Sequence, residues 1–358
     1  MKTQLFYHKR PMFGLDIGSQ SVKFIQLDSN QKKATIKAYG SIATDDKIMQ
    51  DSVIKDVEKA AKLVDTLLDK NVKGKLSTNR VVLSIPVSHV YTRVINLPLM
   101  SRKEFDSAVQ LELEESVPAA LKDLYYDYEM NEIKDTDNLL VRMVAAPRAI
   151  VDSYVAICSM LGLDLALIQT NIKADAQLCM SYEDLAPNSP YIIIDVGGDS
   201  IDVGILDSTL RVTGTVEEGG NSLTAAIAKE LHISPAKANE IKVVKGISAS
   251  KQQKQILRAV TPVLDKVIAE IKRMMRFYEE RVQGKGVVSQ ILIVGGGANM
   301  PGLGDYLTNA THITTRVSSP WGTHITFGKI EPPERADLPR FLTCAGLAMA
   351  SDGEALNQ

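Results

Sequence analysis

The segment Asp16-Ile17-Gly18-Ser19-Gln20-Ser21-Val22-Lys23-Phe24-Ile25-Gln26-Leu27-Asp28 returns half a chain later as Asp195-Val196-Gly197-Gly198-Asp199-Ser200-Ile201-Asp202-Val203-Gly204-Ile205-Leu206-Asp207. In each copy an apolar run ends in Asp-x-Gly, crosses a small polar turn and resumes, which predicts a hairpin of two strands. Two such hairpins can face one another across a cleft. Glycine and other small residues in the turns let backbone N–H groups approach a phosphate, and Asp16 and Asp195 can hold a hydrated Mg2+ between them. The pattern predicts a nucleotide clamp.

The repetition extends outward from the hairpins. Strand-like runs over 12–17, 22–27 and 35–39 precede an amphipathic helix over 53–68, with Val53, Val57, Ala60, Ala61, Val64 and Leu68 on one face. The second half repeats the order with strands over 191–196, 201–206 and 210–216, then Gly219-Gly220-Asn221-Ser222 leading into a helix. Between the halves, strands over 81–85 and 90–97, a capping box at Ser101-Arg102-Lys103-Glu104, a helix ending before Pro118, a strand over 139–145 and a helix over 148–161 predict an α/β insert. A helix over 234–245 and a long one carrying Val263, Val267, Ile271, Met274, Met275 and Tyr278 predict a helical insert in the second half. Ile291-Leu292-Ile293-Val294-Gly295-Gly296-Gly297-Ala298-Asn299 reads as a buried strand entering a glycine turn, where a flat ligand face can lie on the backbone. The expected organisation is a flexible start over 1–11, a first domain over 12–190 with its insert at about 79–165, a second domain over 191–337 with its insert at about 233–282, and a C-terminal helix over 338–358 returning to the first domain.

With 358 residues, 45% of them hydrophobic, the chain can bury the cores of two domains. A formal net charge of −2 and the lack of a Lys/Arg block argue against nucleic-acid binding and a basic membrane-binding surface. No apolar run approaches about 18 residues, and the start from Met1 to Arg10 lacks a signal-peptide core, so a cytoplasmic protein with no direct membrane insertion is expected. Cys158, Cys179 and Cys344, far apart and without paired histidines, read as core thiols.

These pieces resemble the actin-like ATPase superfamily over nearly the whole chain. The resemblance implies an α/β architecture, the actin-like (ribonuclease H-like) ATPase fold, with two duplicated domains around a nucleotide cleft and an FtsA/PilM-type insert subdomain in the first. It also implies ATP and Mg2+ as cofactors. Asp16 and Gly18 to Ser21 look like the first phosphate loop; Lys23 stands at the spacing of the family's β-phosphate lysine, a role that its distance from Asp16 along the chain favours over the alternative of a solvated strand residue. Asp195, Gly197, Gly198, Asp199 and Ser200 look like the second phosphate loop, and Gly295-Gly296-Gly297-Ala298 is similar to the adenosine motif. The family's ribose motif, Ala-Glu-x-Ile/Leu-Lys, departs here to Ala238-Asn239-Glu240-Ile241-Lys242: Asn239 can accept a hydrogen bond but removes a carboxylate, so a weaker hold on ribose is expected. Lys237 and Lys242 are candidates to flank the adenosine or members of a solvated helix face. Gly219 and Gly220 permit a sharp entry into their helix, whose N-terminus could face the phosphates. Hydrolysis needs a residue that orients water; Asp175 and Gln177 are the candidates, and at most slow hydrolysis is expected.

Ile95-Asn96-Leu97-Pro98-Leu99-Met100 and the stretch 112–118 look most like the PilM family. That resemblance implies an ATP-binding adaptor of type IV pilus biogenesis that grips the N-terminal cytoplasmic tail of the membrane protein PilN, in a groove between residues 12–78 and 79–165. The pilus assembly ATPase and other platform proteins are further partners it implies, and the protein would be peripheral to the inner membrane through them. Two other functions compete: a small-molecule kinase, for which no acceptor-binding insert stands out, and an FtsA-like division filament, whose terminal amphipathic helix has no counterpart in 350–358.

Overall fold

The computed structural model describes residues 10–30, 33–45, 47–132, 138–183, 185–186, 189–207, 209–281 and 286–350. Residues 1–9 of the expected flexible start, and 351–358 of the expected C-terminal helix, lie outside the described residues.

The first half opens with a meander, β1 (Phe13–Ile17), β2 (Ser21–Asn30) and β3 (Lys33–Ala43). Two short strands, β4 (Met49–Gln50) and β5 (Val53–Ile54), precede α1 (Val57–Lys70) and β6 (Val72–Gly74). The helix expected over 53–68 therefore starts later: Asp56 is its N-cap, accepting from the Lys59 N–H at 3.0 Å, and a capping residue is extended by nature, which leaves Val53 and Ile54 as strand. β7 (Arg80–Ile85) leads through a 3₁₀ turn at Val87–His89 into β8 (Tyr91–Pro98), α2 (Arg102–Ser116), β9 (Leu124–Glu132) and β10 (Asn138–Pro147). Then come α3 (Arg148–Leu161), β11 (Asp164–Thr170) and α4 (Asn171–Tyr182). The second half comprises β12 (Tyr191–Val196), β13 (Ile201–Asp207), β14 (Thr209–Val216), α5 (Gly220–Leu231), α6 (Pro235–Val244), α7 (Gln253–Arg281), β15 (Gln290–Val294), α8 (Leu303–Thr311), β16 (Thr315–Val317), β17 (Ile325–Thr326) and α9 (Leu342–Leu347).

The duplication reaches all five principal strands of each sheet. The first sheet runs β11-β7-β1-β2-β3-β17, and the second, read from its other end, runs β16-β15-β12-β13-β14. In both, the fourth strand lies parallel to the first and the fifth parallel to the fourth. The central strands β12 and β15, Tyr-Ile-Ile-Ile and Ile-Leu-Ile-Val, are apolar without alternation because helices cover both faces.

The insert is smaller than its sequence limits of 79–165. β7 pairs with β1, and α3 buries Tyr154, Ile157 and Cys158 in the core that holds Ala60 and Val64 of α1. What stands apart is the sheet β8-β10-β9, covered on one face by α2 around Phe105, Val109, Leu113, Val141 and Met143. Both capping-box hydrogen bonds of Ser101 and Glu104 are present at the start of α2.

The last segment buries Leu342, Cys344 and Ala345 of α9 against Ile25 of the first sheet and Ile193 of the second, and α9 packs on α4. A Cβ at Gly346 would stand 2.0 Å from the Ala174 carbonyl oxygen, so only glycine allows the two backbones this approach. Gly346→Ala is expected to cost about 1–3 kcal/mol of stability, since no rotamer relieves a clash with backbone. Gly304→Ala in α8, where the nearest atom to the new Cβ is 3.4 Å away, should change stability by less than about 1 kcal/mol; paired denaturant midpoints measure both.

Candidate functional site

The two turns close in the same way. The Gly18 N–H donates to the Ser21 carbonyl at 3.1 Å, and the Gly197 N–H to the Ser200 carbonyl at 3.0 Å. They also meet: a Cβ at Gly198 would lie 2.7 Å from Ser19 Oγ and 2.8 Å from Gln20 Cγ. Glycine at 198 thus lets one phosphate-loop candidate stand directly against the other. Between them opens a cleft of about 340 Å3, lined by Asp16, Gly18, Ser19, Gln20, Ser21, Lys23, Asp195, Gly197, Gly198, Asp199, Ser200, Gly220, Asn239, Lys242, Gly295, Gly296 and Gly297.

Hairpin register decides which charges face the cleft. Asp16 pairs with Lys23 across β1 and β2, whereas Asp195 pairs with Asp202 across β12 and β13. The same position of the repeat therefore carries a cation in one copy and an anion in the other. Lys23 is not a solvated strand residue: its side chain is 12% exposed and its ammonium lies 2.6 Å from Asp16 Oδ2, while Ser84 Oγ donates to Asp16 Oδ1 at 2.7 Å. Burial pulls the lysine pKa down, but Asp16 outweighs it and holds the ammonium above its ordinary value.

On the other side, the carboxylates are crowded. Asn171, the first residue of α4, donates one amide hydrogen to Asp195 Oδ2 at 2.9 Å and the other to Asp202 Oδ2 at 2.8 Å; Thr215 Oγ1 donates to Asp202 Oδ1 at 2.7 Å. Burial, with Asp202 second, pushes the Asp195 carboxyl up to about 7, and burial raises Asp202 as well. Among the described residues no three His, Cys, Asp or Glu side chains converge as a metal centre. The donor set of Asp16 and Asp195 suits a cation that keeps its waters and shares a ligand's oxygens.

Several sequence candidates sit elsewhere. Gly219 lies behind the second turn, and the first N–H groups of α5 are committed to that turn, Gly220 to the Gly197 carbonyl and Asn221 to the Gly198 carbonyl, both at 2.9 Å. The helix N-terminus therefore braces the turn. Lys237 and Glu240 pair at 2.7 Å on an exposed face of α6, away from the cleft lining, and Ala298 is in the core of the second domain. Lys242 departs from the solvated-face alternative: its ammonium donates to the Gly220 carbonyl at 2.7 Å and Thr224 Oγ1 at 2.8 Å, and burial lowers its pKa to about 8. Asp175 is fully buried, reached by Thr343 Oγ1 at 3.0 Å, and neither it nor Gln177 lines the cleft. Gly295, at φ +84°, could not carry a Cβ, which would stand 2.1 Å from Asp195 Oδ1. Ser84, Asn171, Asp202 and Arg340 also line the cleft, although the sequence motifs do not single them out. Arg340 lines the cleft, donating to Ser21 Oγ at 3.0 Å from a turn held by Asp337. Only the matching position of Asp202 and Lys23 in the repeat could have revealed one of them.

A second groove, of about 330 Å3, lies beside the insert. Its walls include Val87 and Val90 before the insert, Arg93 of β8, Leu113 and Val117 at the end of α2, and Thr213 and Thr215 of β14. Strands β8 and β14 are each the edge of their sheet.

The family model for type IV pilus assembly protein PilM matches residues 14–352. A chain of the PilM–PilN type IV pilus biogenesis complex superposes with a TM-score of 0.80 at 21% identity, covering 96% of this chain and 98% of that one. MreB5 of Spiroplasma citri, bound to ADP, gives 0.56 at 15% identity over 97% of this chain and 98% of that one. The ethanolamine utilization protein EutJ from Carboxydothermus hydrogenoformans gives 0.54 at 15% identity over 96% and 90%. No curated protein matches the sequence. The structural likenesses bear out the actin-like ATPase fold that the resemblance implied.

The Asp195 carboxyl binds its proton more tightly in the folded chain than unfolded. Its contribution to stability is complete below the ordinary aspartate pKa and is lost as pH rises through about 7. Asp195→Asn, with no charge to bury, should melt progressively higher than the wild type between pH 5 and pH 8 in ligand-free buffer, as melting curves across that range would record.

Proposed function

Because the chain belongs to the PilM family of type IV pilus assembly proteins, we propose that it serves pilus assembly as a nucleotide-loaded adaptor: Mg-ATP in the cleft fixes the two halves of the molecule, and the N-terminal cytoplasmic tail of PilN docks beside the insert. The observation that carries this is the contact of the two turns at Gly198, with Asp16 and Lys23 on one side and Asp195 on the other. A triphosphate there would lie against backbone N–H groups of both turns, and Lys23 would exchange its Asp16 partner for phosphate oxygens. Asp16 and Asp195 would hold Mg2+ through water. The adenosine would rest on Gly295, Gly296 and Gly297, with Asn239 and Lys242 at its rim; Gly219, Lys237, Glu240 and Ala298 would support that wall from behind. ADP bound to the related MreB5 supports the same reading.

Binding, not rapid turnover, is the output this site favours. Asp16, Asp195 and Asp202 are each engaged by neighbouring side chains, and the water-orienting candidates Asp175 and Gln177 stand outside the cleft lining.

For the tail, the groove between β8 and β14 offers two sheet edges to an extended peptide, which can hydrogen-bond to either along its backbone. Its outer wall is β14, so the tail would touch both domains where residues 12–78 were the expected second wall. Docking on the PilN tail would hold the protein at the cytoplasmic face of the inner membrane; among the described residues no helix is long and apolar enough to cross a membrane.

A synthetic PilN tail peptide and Mg-ATP, titrated separately into the purified protein, test both halves. Asp195→Ala should weaken Mg-ATP binding by about tenfold or more, equivalent to ~1.4 kcal/mol, and Thr213→Arg, which fills the groove, should weaken the peptide by a similar factor without changing Mg-ATP affinity. Failure of wild-type protein to bind either ligand would refute the corresponding half.

A further inference from the structure

Asn171 lines the cleft and joins it to the groove. Both hydrogens of its amide are spent on Asp195 and Asp202, which line the cleft. Its carbonyl oxygen accepts from the backbone N–H of Val87 at 3.0 Å, and Val87 lines the groove. An asparagine side chain has two donors and one acceptor oxygen, and here all three engage different segments of the chain.

A parallel connection runs through Asp202. One of its carboxylate oxygens faces Asn171, and the other accepts from Thr215 on the opposite wall of the groove. Both groove walls are therefore tied to the Asp195–Asp202 pair. The helix that carries Asn171 cannot easily yield: Thr170 caps it by accepting from the Lys173 N–H at 3.3 Å, and the Lys173 ammonium lies 2.6 Å from Glu129 of the insert sheet. Glu129 is held also by Arg142, and although burial works against its charge, the two cations bring its pKa down to about 2.

We propose that Asn171 is the positioning residue through which nucleotide in the cleft and peptide in the groove sense one another. This rests on the two ligands assigned above. A cation and phosphates at Asp195 change the charge that Asn171 must balance against Asp202, which fixes the amide and, through its carbonyl, the Val87 edge of the groove. Because the link is thermodynamic, it acts equally in both directions: whatever factor Mg-ATP adds to peptide affinity, the peptide adds to Mg-ATP affinity.

The test is the ratio of tail-peptide dissociation constants without and with saturating Mg-ATP, measured for wild type, Asn171→Ala and Thr215→Val. A purely structural role would change affinities or melting temperature but leave this ratio intact. The wild type should show a ratio of about five or more, within the usual range for coupled sites, Asn171→Ala should bring it to within about twofold of unity, and Thr215→Val should lower it partway. If wild type binds both ligands and Asn171→Ala keeps the full ratio, the assignment of Asn171 is wrong while the adaptor function stands. A wild-type ratio of unity with both ligands bound overturns the assignment equally. Should Asn171→Ala fail to fold, Thr215→Val decides, and an unchanged ratio in it counts against the proposal. Absence of binding by the wild type would instead remove the function on which the inference rests.

Discussion

At the floor of the cleft the backbone of Gly198 lies against the side chains of Ser19 and Gln20 in the facing turn, and that approach governs what surrounds it. A Cβ at Gly198 would strike the first turn, and one at Gly295 would strike the Asp195 carboxylate. Asp195 and Asp202, paired across β12 and β13, lie with Asp175 out of water, and burial holds all three above the ordinary carboxylate range. Charge gathered so tightly is costly unless partners are supplied. Asn171, Thr215 and Thr343 supply hydrogen bonds but no positive charge, which leaves the carboxylates electrostatically prepared for a cation.

The same crowding explains how the insert is attached. It is carried by the helices that follow it, where Arg148 lies 4.0 Å above the Tyr125 ring and Lys173 reaches Glu129. Its own core around Phe105 and Leu113 is separate from those of the two sheets. α4 thus touches the cleft at one residue and the insert at another two positions further on. A rigid helix with both attachments makes the insert's position depend on the cleft, a geometry suited to an adaptor.

Much of this was legible in the sequence where local physics dominates. The two Asp-x-Gly turns, the capping box at Ser101 and helix α3 appear as expected because turn glycines, caps and apolar periodicity act within a few residues. Strand β9 was missed because Leu-Tyr-Tyr-Asp-Tyr-Glu-Met-Asn-Glu offers no apolar run. Its alternate residues face α2 on one side, with Tyr128 against Phe105, and the ion pairs of Glu129 on the other. The insert is narrower than its sequence limits because β7 and α3 carry no mark of which sheet they join; pairing with β1 and packing beside α1, both distant in sequence, decide that. Within the site, the glycine turns were visible, whereas Asn171 and Arg340 owe their places to contacts across the fold. Lys242 could be read either as ligand or as surface because helical spacing says nothing of what packs above it.

One feature of the repeat bears on its history. Lys23 and Asp202 occupy the same register in the two hairpins, opposite Asp16 and Asp195 respectively. Two identical subunits related by a two-fold axis would have to bring either a pair of lysines or a pair of acids to this place. A single continuous chain is released from that symmetry. The cleft can then be polarised, with a cation contributed by one side and an anion by the other, so the halves, though built on one plan, are no longer interchangeable parts.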